Sequence, residues 1–187
     1  MSKKNTSTNE VLVQSFKELA IERPIEKITI KEITDRAGVI RPTFYNHFQD
    51  KYELMEWMIK EEILNPVRPL ISAGMIKEAM VLMFTNIQKD QAYYSKAIRL
   101  EGVITFHQIA MKVVTEMLGE IVGELMSGKT PKHKWLTADV VTAYYAQSMV
   151  FACEEWIKSG FAITPAEMGD AYHYIMTRSM EDVVKEL

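Results

Sequence analysis

TIKEITDRAGVIRPTFYNHFQDK, residues 29–51, punctuates this chain into short helices. Thr29 and Glu32 have capping-box spacing, a hydroxyl at the N-cap and a carboxylate three residues on that reaches back to it. Ile30, Ile33 and Ala37 then share one face. Gly38 follows where a helix closes on a left-handed residue. Pro42 suits a first helical position, since its missing N–H has no partner there anyway. The next helix is predicted over about residues 42–48, because Asp50 to Glu53 already spells another box. Phe44 and Phe48, four apart, share a buried face with Val39 and Ile40 as neighbours, so Arg41, Tyr45 and Asn46 point away.

Two helices joined by a glycine turn serve either as plain scaffold or as a DNA reader, and the outward residues favour the reader. Arg41 can pair bidentately with guanine and Asn46 with adenine in a major groove. Thr43, Tyr45 and His47 carry hydroxyls or ring N–H groups that suit phosphate oxygens. Lys51 and Thr29 sit at helix starts, where backbone N–H groups and the dipole attract phosphate.

Outward from this segment, Ser7 and Glu10 form a further box, and Leu12, Phe16, Leu19 and Ala20 recur at helical spacing. They predict a first helix over about residues 8–22, stopped by Pro24, with Lys3 and Lys4 as a short basic arm before it. A fourth helix starts at Lys51 and runs to about Leu64, before Asn65-Pro66. Further helices are predicted near 76–88, 91–99, 104–126, 136–159 and 165–186. Lys129 to His133 reads as a loop, and Thr164-Pro165-Ala166-Glu167 as a capped start. No segment alternates as a strand does. The expectation is all-α: a three-helix helix-turn-helix domain over residues 1–49, and a helical bundle over 50–187 that dimerises.

The dimer follows from VVTAYYAQSMVFAC, residues 140–153, which holds no charge. A helix apolar all round is covered all round, and this one is too short to span a bilayer. A second copy can supply the outer cover, with Val141, Tyr145, Ser148 and Ala152 meeting Met168, Tyr172 and Ile175. The alternative is the central helix of a monomeric bundle.

The net charge of −3 hides an asymmetry: eight Lys and Arg face six Asp and Glu in residues 1–48, whereas residues 49–187 are acidic. Phosphate attraction acts over about 10 Å, so the acidic remainder does not exclude a DNA-binding face. One cysteine, Cys153, forms no internal disulfide, and no leader or membrane-length apolar run is present, so a cytoplasmic protein is expected. Catalytic residues, metal and cofactor are not expected. The four histidines show no metal-ligand spacing, no glycine loop cradles phosphate, and adjacent Glu61-Glu62 and Glu154-Glu155 read as solvated charge. For a small-molecule pocket the candidates are Tyr93, Tyr94, Phe106, Met111, Tyr144, Tyr145 and Met149, apolar with polar tips; plain core packing is the alternative for each.

Residues 8–60, and above all ITIKEITDRAGVIRPTFYNHFQDKYELMEWM, resemble the N-terminal signature of the TetR/AcrR family of bacterial transcriptional regulators. The shared pattern is Ile-x-x-x-Ala-Gly-Val, Thr-Phe-Tyr-x-His-Phe and Asp-Lys. The resemblance implies that Arg41, Pro42, Thr43, Tyr45 and Asn46 face a near-palindromic operator, and that Thr29, Tyr45, His47 and Lys51 contact phosphates. It also implies a homodimer with an effector pocket in the C-terminal part, commonly a repressor released by a small molecule. Ile40 departs from the usual Ser or Thr, removing an N-cap, and Pro42 replaces a small residue. WIKSGFAITPAEM, from Trp156 to Met168, resembles the branch that includes dihydroxyacetone kinase co-activators, where a partner protein takes the effector's place.

Overall fold

The computed structural model describes residues 7–186, which form helices and connecting turns with no strand among them; the Lys3-Lys4 arm lies outside the described residues. Helix α1 (Thr8–Glu22) opens on the expected box, with Glu10 N–H donating to the Ser7 hydroxyl at 3.3 Å and Ser7 N–H to the Glu10 carboxylate at 2.9 Å. After a 3-10 turn at Ile25–Lys27 come α2 (Ile30–Ala37) and α3 (Arg41–Tyr45). Gly38, at φ 68°, closes α2 in the left-handed region, as its position implied. Leu12, Phe16, Ile33 and Phe44 are wholly buried and Phe48 nearly so.

Two details of this unit differ from expectation. Helix α3 begins at Arg41, one residue before Pro42, and ends at Tyr45; Phe48 stays in the turn through a bond from its N–H to the Phe44 carbonyl at 2.9 Å. Ile40 is not a core neighbour of Phe44. It is the N-cap of α3, in extended backbone, and 69% exposed.

Helix α4 (Lys51–Met58) widens into a π-helical segment, Ile59–Leu64, then tightens into a 3-10 turn, Asn65–Val67, and α5 (Arg68–Ser72). The chain therefore stays helical through Pro66 and Pro69 instead of breaking. Each proline lies in the first turn of a new piece, where its missing N–H interrupts no ladder. Then follow α6 (Ile76–Lys89), α7 (Gln91–Ala97), α8 (Phe106–Met126), α9 (Ala138–Lys158), α10 (Pro165–Met176) and α11 (Met180–Lys185). The long last helix expected over 165–186 is thus two, because Ser179 caps a new start, accepting from Asp182 N–H at 3.2 Å.

Trp156 organises the α9–α10 corner. Its indole N–H donates to the Ile163 carbonyl at 2.9 Å, its ring meets Phe161 at 4.8 Å, and Phe84 lies 5.2 Å away. Phe161 has φ 61°, which costs roughly 1–2 kcal/mol for a residue with a Cβ. Burying its ring offsets that by about 1.5–3 kcal/mol. Helix α10 lies so close on α6 that a Cβ on Gly169 would meet Val81 Cγ2 at 2.6 Å, its N at 3.0 Å and its Cα at 3.1 Å. Alanine elsewhere in a helix gains up to about 1 kcal/mol over glycine. Here the obstacle includes backbone, and overpacking costs about 1–3 kcal/mol. Gly169→Ala should therefore lower the denaturation midpoint in urea; a raised midpoint would show that the two helices part freely.

The outward side of α9 is turned relative to expectation. Ala152 and Tyr172 are buried inside their own chain, with the Tyr172 hydroxyl 3.4 Å from Ser148 Oγ, so neither is open to a partner. Val141, Ser148 and Met168 are half-buried. Tyr145 and Ile175 do reach the surface, but the largest exposed rings of α9 are Tyr144 (70%) and Phe151 (65%). The charge-free helix is therefore covered on one side only.

Several ties among the described residues join helices α1–α4 to the rest. Lys17 on α1 donates to Glu62 and to Asp90, each at 2.7 Å. The Phe16 and Tyr93 rings stand 6.0 Å apart, Lys112 reaches Glu56 on α4 at 2.6 Å, and Glu101 N–H donates to Glu26 at 2.9 Å.

Candidate nucleic-acid interface

Packing presents the α3 surface. With Phe44 and Phe48 held inside, Arg41, Pro42, Tyr45, Asn46 and His47 are exposed together and Thr43 is half-buried. The start of α3 has no side-chain cap, since Ile40 offers no oxygen, so that helix end faces outward without an internal acceptor from its cap. Ile40 and Pro42 put apolar surface directly beside Arg41.

The neighbouring helix starts are occupied by their own side chains. At α2, Thr29 gives its hydroxyl proton to Glu32 at 2.7 Å and accepts from Glu32 N–H at 3.3 Å. That bond, the Thr29 backbone N–H and the nearby Arg23 hold the Glu32 carboxyl down at about 2. At α4, the Asp50 carboxylate takes Tyr52 N–H at 2.7 Å and Glu53 N–H at 2.9 Å. Lys51 itself turns back. Its ammonium donates to the carbonyls of Ile25, Glu26 and Ile28 at 2.8, 2.8 and 2.9 Å. An ammonium has three protons. With all three given to the turn before α2, Lys51 offers a phosphate its charge but no further hydrogen bond. The dipole argument for these two starts is corrected accordingly: each is an anion site already filled from within the chain.

Behind the N-terminal helices lies a cavity of about 40 Å³. Its walls come from the π-helical segment (Ile59, Ile63, Leu64), α6 (Met83, Ile87), α7 (Tyr94), α8 (Phe106, Ala110, Val114) and α9 (Met149, Val150, Cys153, Glu154, Ile157). Of the expected pocket residues, Tyr94, Phe106 and Met149 line it. Tyr93 is buried elsewhere against Phe16, Met111 is half-buried off the wall, and Tyr144 and Tyr145 face out. The π-helical wall was missed because hydrophobic spacing does not distinguish a widened turn from an α-helix. Glu154 is not solvated charge either; its carboxylate lies 3.1 Å from His107 Nδ1 and only 13% of its side chain is exposed. Burial pushes the Cys153 thiol up to about 12 and the Tyr94 phenol well above the ordinary tyrosine value, so both are neutral.

Among the described residues no group of three or more His, Cys, Asp or Glu could hold a metal ion, and no helix is long and apolar enough to cross a membrane.

Comparison with known proteins matches residues 16–58 to the profile of the bacterial regulatory proteins, tetR family, and residues 75–178, over half the chain, to a transcriptional regulator C-terminal region. The dhaKLM operon transcriptional activator DhaS of Lactococcus lactis is 24% identical over 94 residues, which cover 50% of each chain. The transcriptional activator FasR of Mycolicibacterium smegmatis is 29% identical over 126 residues, 62% of this chain and 57% of its own. The chain thus spans about half the length of the curated relatives it matches. Among solved structures, the dihydroxyacetone kinase operon activator DhaS superposes with a TM-score of 0.62 at 17% identity, covering 90% of this chain and 93% of that one. NalD, the secondary repressor of a multidrug efflux pump in Pseudomonas aeruginosa, superposes with 0.60 at 18%, covering 88% and 92%. At these identities the likeness is one of fold.

Proposed function

The chain belongs to the tetR family of bacterial transcriptional regulators, and from that premise we propose a cytoplasmic homodimeric repressor whose operator affinity is set by a small molecule in the α4–α9 cavity. Residues 1–49 read DNA, and residues 50–187 dimerise and sense. The observation that carries this reading is the uncapped, outward α3 with Arg41, Tyr45 and Asn46 on one exposed face. Arg41 reads guanine and Asn46 adenine, with Thr43 and Tyr45 beside them. Tyr45 and His47 are the phosphate contacts, and Lys51 adds its field. Ile40 and Pro42 suit a thymine methyl, an apolar contact.

Dimerisation uses the uncovered side of α9, Tyr144 and Phe151 with Tyr145, together with Ile175 on α10. Two α3 helices then enter successive major grooves, about 34–36 Å apart. An occupant that pushes on the π-helical wall moves α4, and α4 holds the α2 approach through Lys51. Occupancy therefore biases the spacing of the two reading helices.

Site selection from a randomised duplex pool tests the reading, with enrichment of a near-palindrome as the expected result. On the selected site, Arg41→Ala should lose about 1–3 kcal/mol, while binding to unrelated duplex changes little; fluorescence anisotropy measures both. Equal loss on every sequence would remove Arg41 from base reading.

A second reading, an activator, is favoured by the printed roles of DhaS and FasR. In that case a partner protein replaces the small molecule. A reporter driven from the selected site separates the two by the sign of the response.

A further inference from the structure

The loop between α8 and α9 has a charge opposite to that of the domain it belongs to. SGKTPKHKWLT, residues 127–137, holds three lysines and no carboxylate residue within the acidic part of the chain. Lys129, Lys132 and Lys134 are exposed, and among the described residues no carboxylate pairs with any of them. Trp135 beside them is 75% exposed, whereas Trp156 is buried. Backbone bonds shape the turn. Gly128, at φ 70°, follows α8, Leu136 N–H donates to the His133 carbonyl at 3.0 Å, and Thr137 N–H donates to the Trp135 carbonyl at 2.9 Å. Thr137 then caps α9. A lone exposed ring is ordinary. A ring among three unpaired ammoniums combines an apolar anchor with a charge, and tryptophan is enriched where a partner buries it.

Position and charge narrow the partner. Glu101, just before α8, donates its N–H to Glu26 beside the reading unit. From there α8 runs alongside α4 and then α5, through Lys112 to Glu56 and Arg68 to Glu120. Its length carries the chain about 30 Å away, so the loop is remote from the duplex that α3 faces. Guanidinium is the usual group for phosphate and nucleic-acid recognition, and the loop has no Arg. Exposed carboxylates of Glu124, in the last turn of α8, and Asp139, in the first turn of α9, stand on either side of it. A broad anionic surface such as a bilayer meets those carboxylates as well, and three lysines fall short of the roughly four to eight basic residues in lipid-binding clusters. A narrow extended chain can lie on the lysines alone.

We propose that the α8–α9 loop docks an acidic segment of a partner protein, whose carboxylates meet Lys129, Lys132 and Lys134 while one apolar side chain lies on the Trp135 indole. This surface is separate from the α4–α9 cavity and does not depend on what that cavity holds.

Peptides selected from a random displayed pool on the full-length protein, and counter-selected on the K129Q/K132Q/K134Q variant, test it. The expected result is enrichment of Asp and Glu around an aromatic or aliphatic residue. By fluorescence anisotropy, the triple variant should bind an enriched peptide about 10-fold or more weakly, since each exposed ion pair is worth up to about 5-fold. Trp135→Ala should weaken it by about 5- to 30-fold, as loss of an interface anchor does. Both variants should melt with the parent, because the altered side chains are exposed.

Absence of acidic enrichment, or equal binding of the enriched peptide to parent and variants, would overturn the proposal. So would tighter binding of an oligothymidine or of phosphatidylglycerol vesicles than of that peptide. Acrylamide should quench Trp135 in the free protein, read as the emission lost in Trp135→Phe; protection there would give the loop to a second copy of this chain and overturn the proposal too.

Discussion

Lys17→Ala should lower the stability of the protein by about 3 kcal/mol in urea denaturation. Lys17 is 9% exposed at its side chain and holds both Glu62 and Asp90 at 2.7 Å. Removing it leaves two carboxylates facing each other with no cation between them. Breaking a buried ion pair costs about 3–5 kcal/mol, and the lower end applies because Glu62 and Asp90 are 32% and 33% exposed and water reaches them.

The deficit should depend on pH. Burial already raises the Glu62 pKa above the ordinary carboxyl value, and Lys17 opposes that rise. Without Lys17 the folded-state value climbs further. A group raised in the folded state contributes fully below its unfolded pKa, and the contribution is lost as pH rises through the folded value. The gap between variant and parent should therefore narrow as pH falls from about 7 toward the ordinary glutamate value of about 4.3. Adding Glu62→Gln to the variant should recover part of the loss at neutral pH. A gap that stays flat with pH would assign the loss to packing of the lysine stem instead.

Phe44→Ala should abolish operator binding while leaving most of the helical signal in place. Truncating a wholly buried phenylalanine costs about 3–5 kcal/mol. A unit of roughly 50 residues has only about 2.5–7.5 kcal/mol to lose, at about 0.05–0.15 kcal/mol per residue. Circular dichroism should then show a low-temperature transition that the parent lacks, followed by melting of the remaining helices. Phe44→Leu, which keeps the volume nearer, should cost under about 1.5 kcal/mol and retain binding. Loss of all helicity in Phe44→Ala would mean that the N-terminal helices and the bundle unfold as one.

The helical class and most helix starts were legible because their signals are local. Ser7, Thr29 and Thr164 each close a box with the residue three positions on, and Gly38 closes α2 at the φ that only glycine adopts cheaply. The outward residues of α3 were legible too, once Phe44 and Phe48 were assigned to the core. The cavity was not. Tyr144, Tyr145 and Met111 are aromatic and Met side chains like Tyr94, Phe106 and Met149, and only packing distinguishes wall from surface. The buried Lys17 left a faint trace in the sequence: it lies four residues after Val13 and three before Ala20, on an apolar stripe where a lysine is out of place unless paired.

The amino-acid sequence by itself therefore determined that the chain is helical, where its helices begin, and which short helix presents a polar face. These follow from hydrogen bonds and rotations within a few residues of each other. Tertiary structure decided which partners the charges take, since Lys51 reaches carbonyls more than twenty residues away and Lys17 reaches Glu62 and Asp90. It also decided which side of α9 is left uncovered and what encloses the cavity. Those depend on the rotation of each helix about its own axis. One residue turns a helix by about 100°, so the identity of the buried side is settled only when the neighbouring helices are in place.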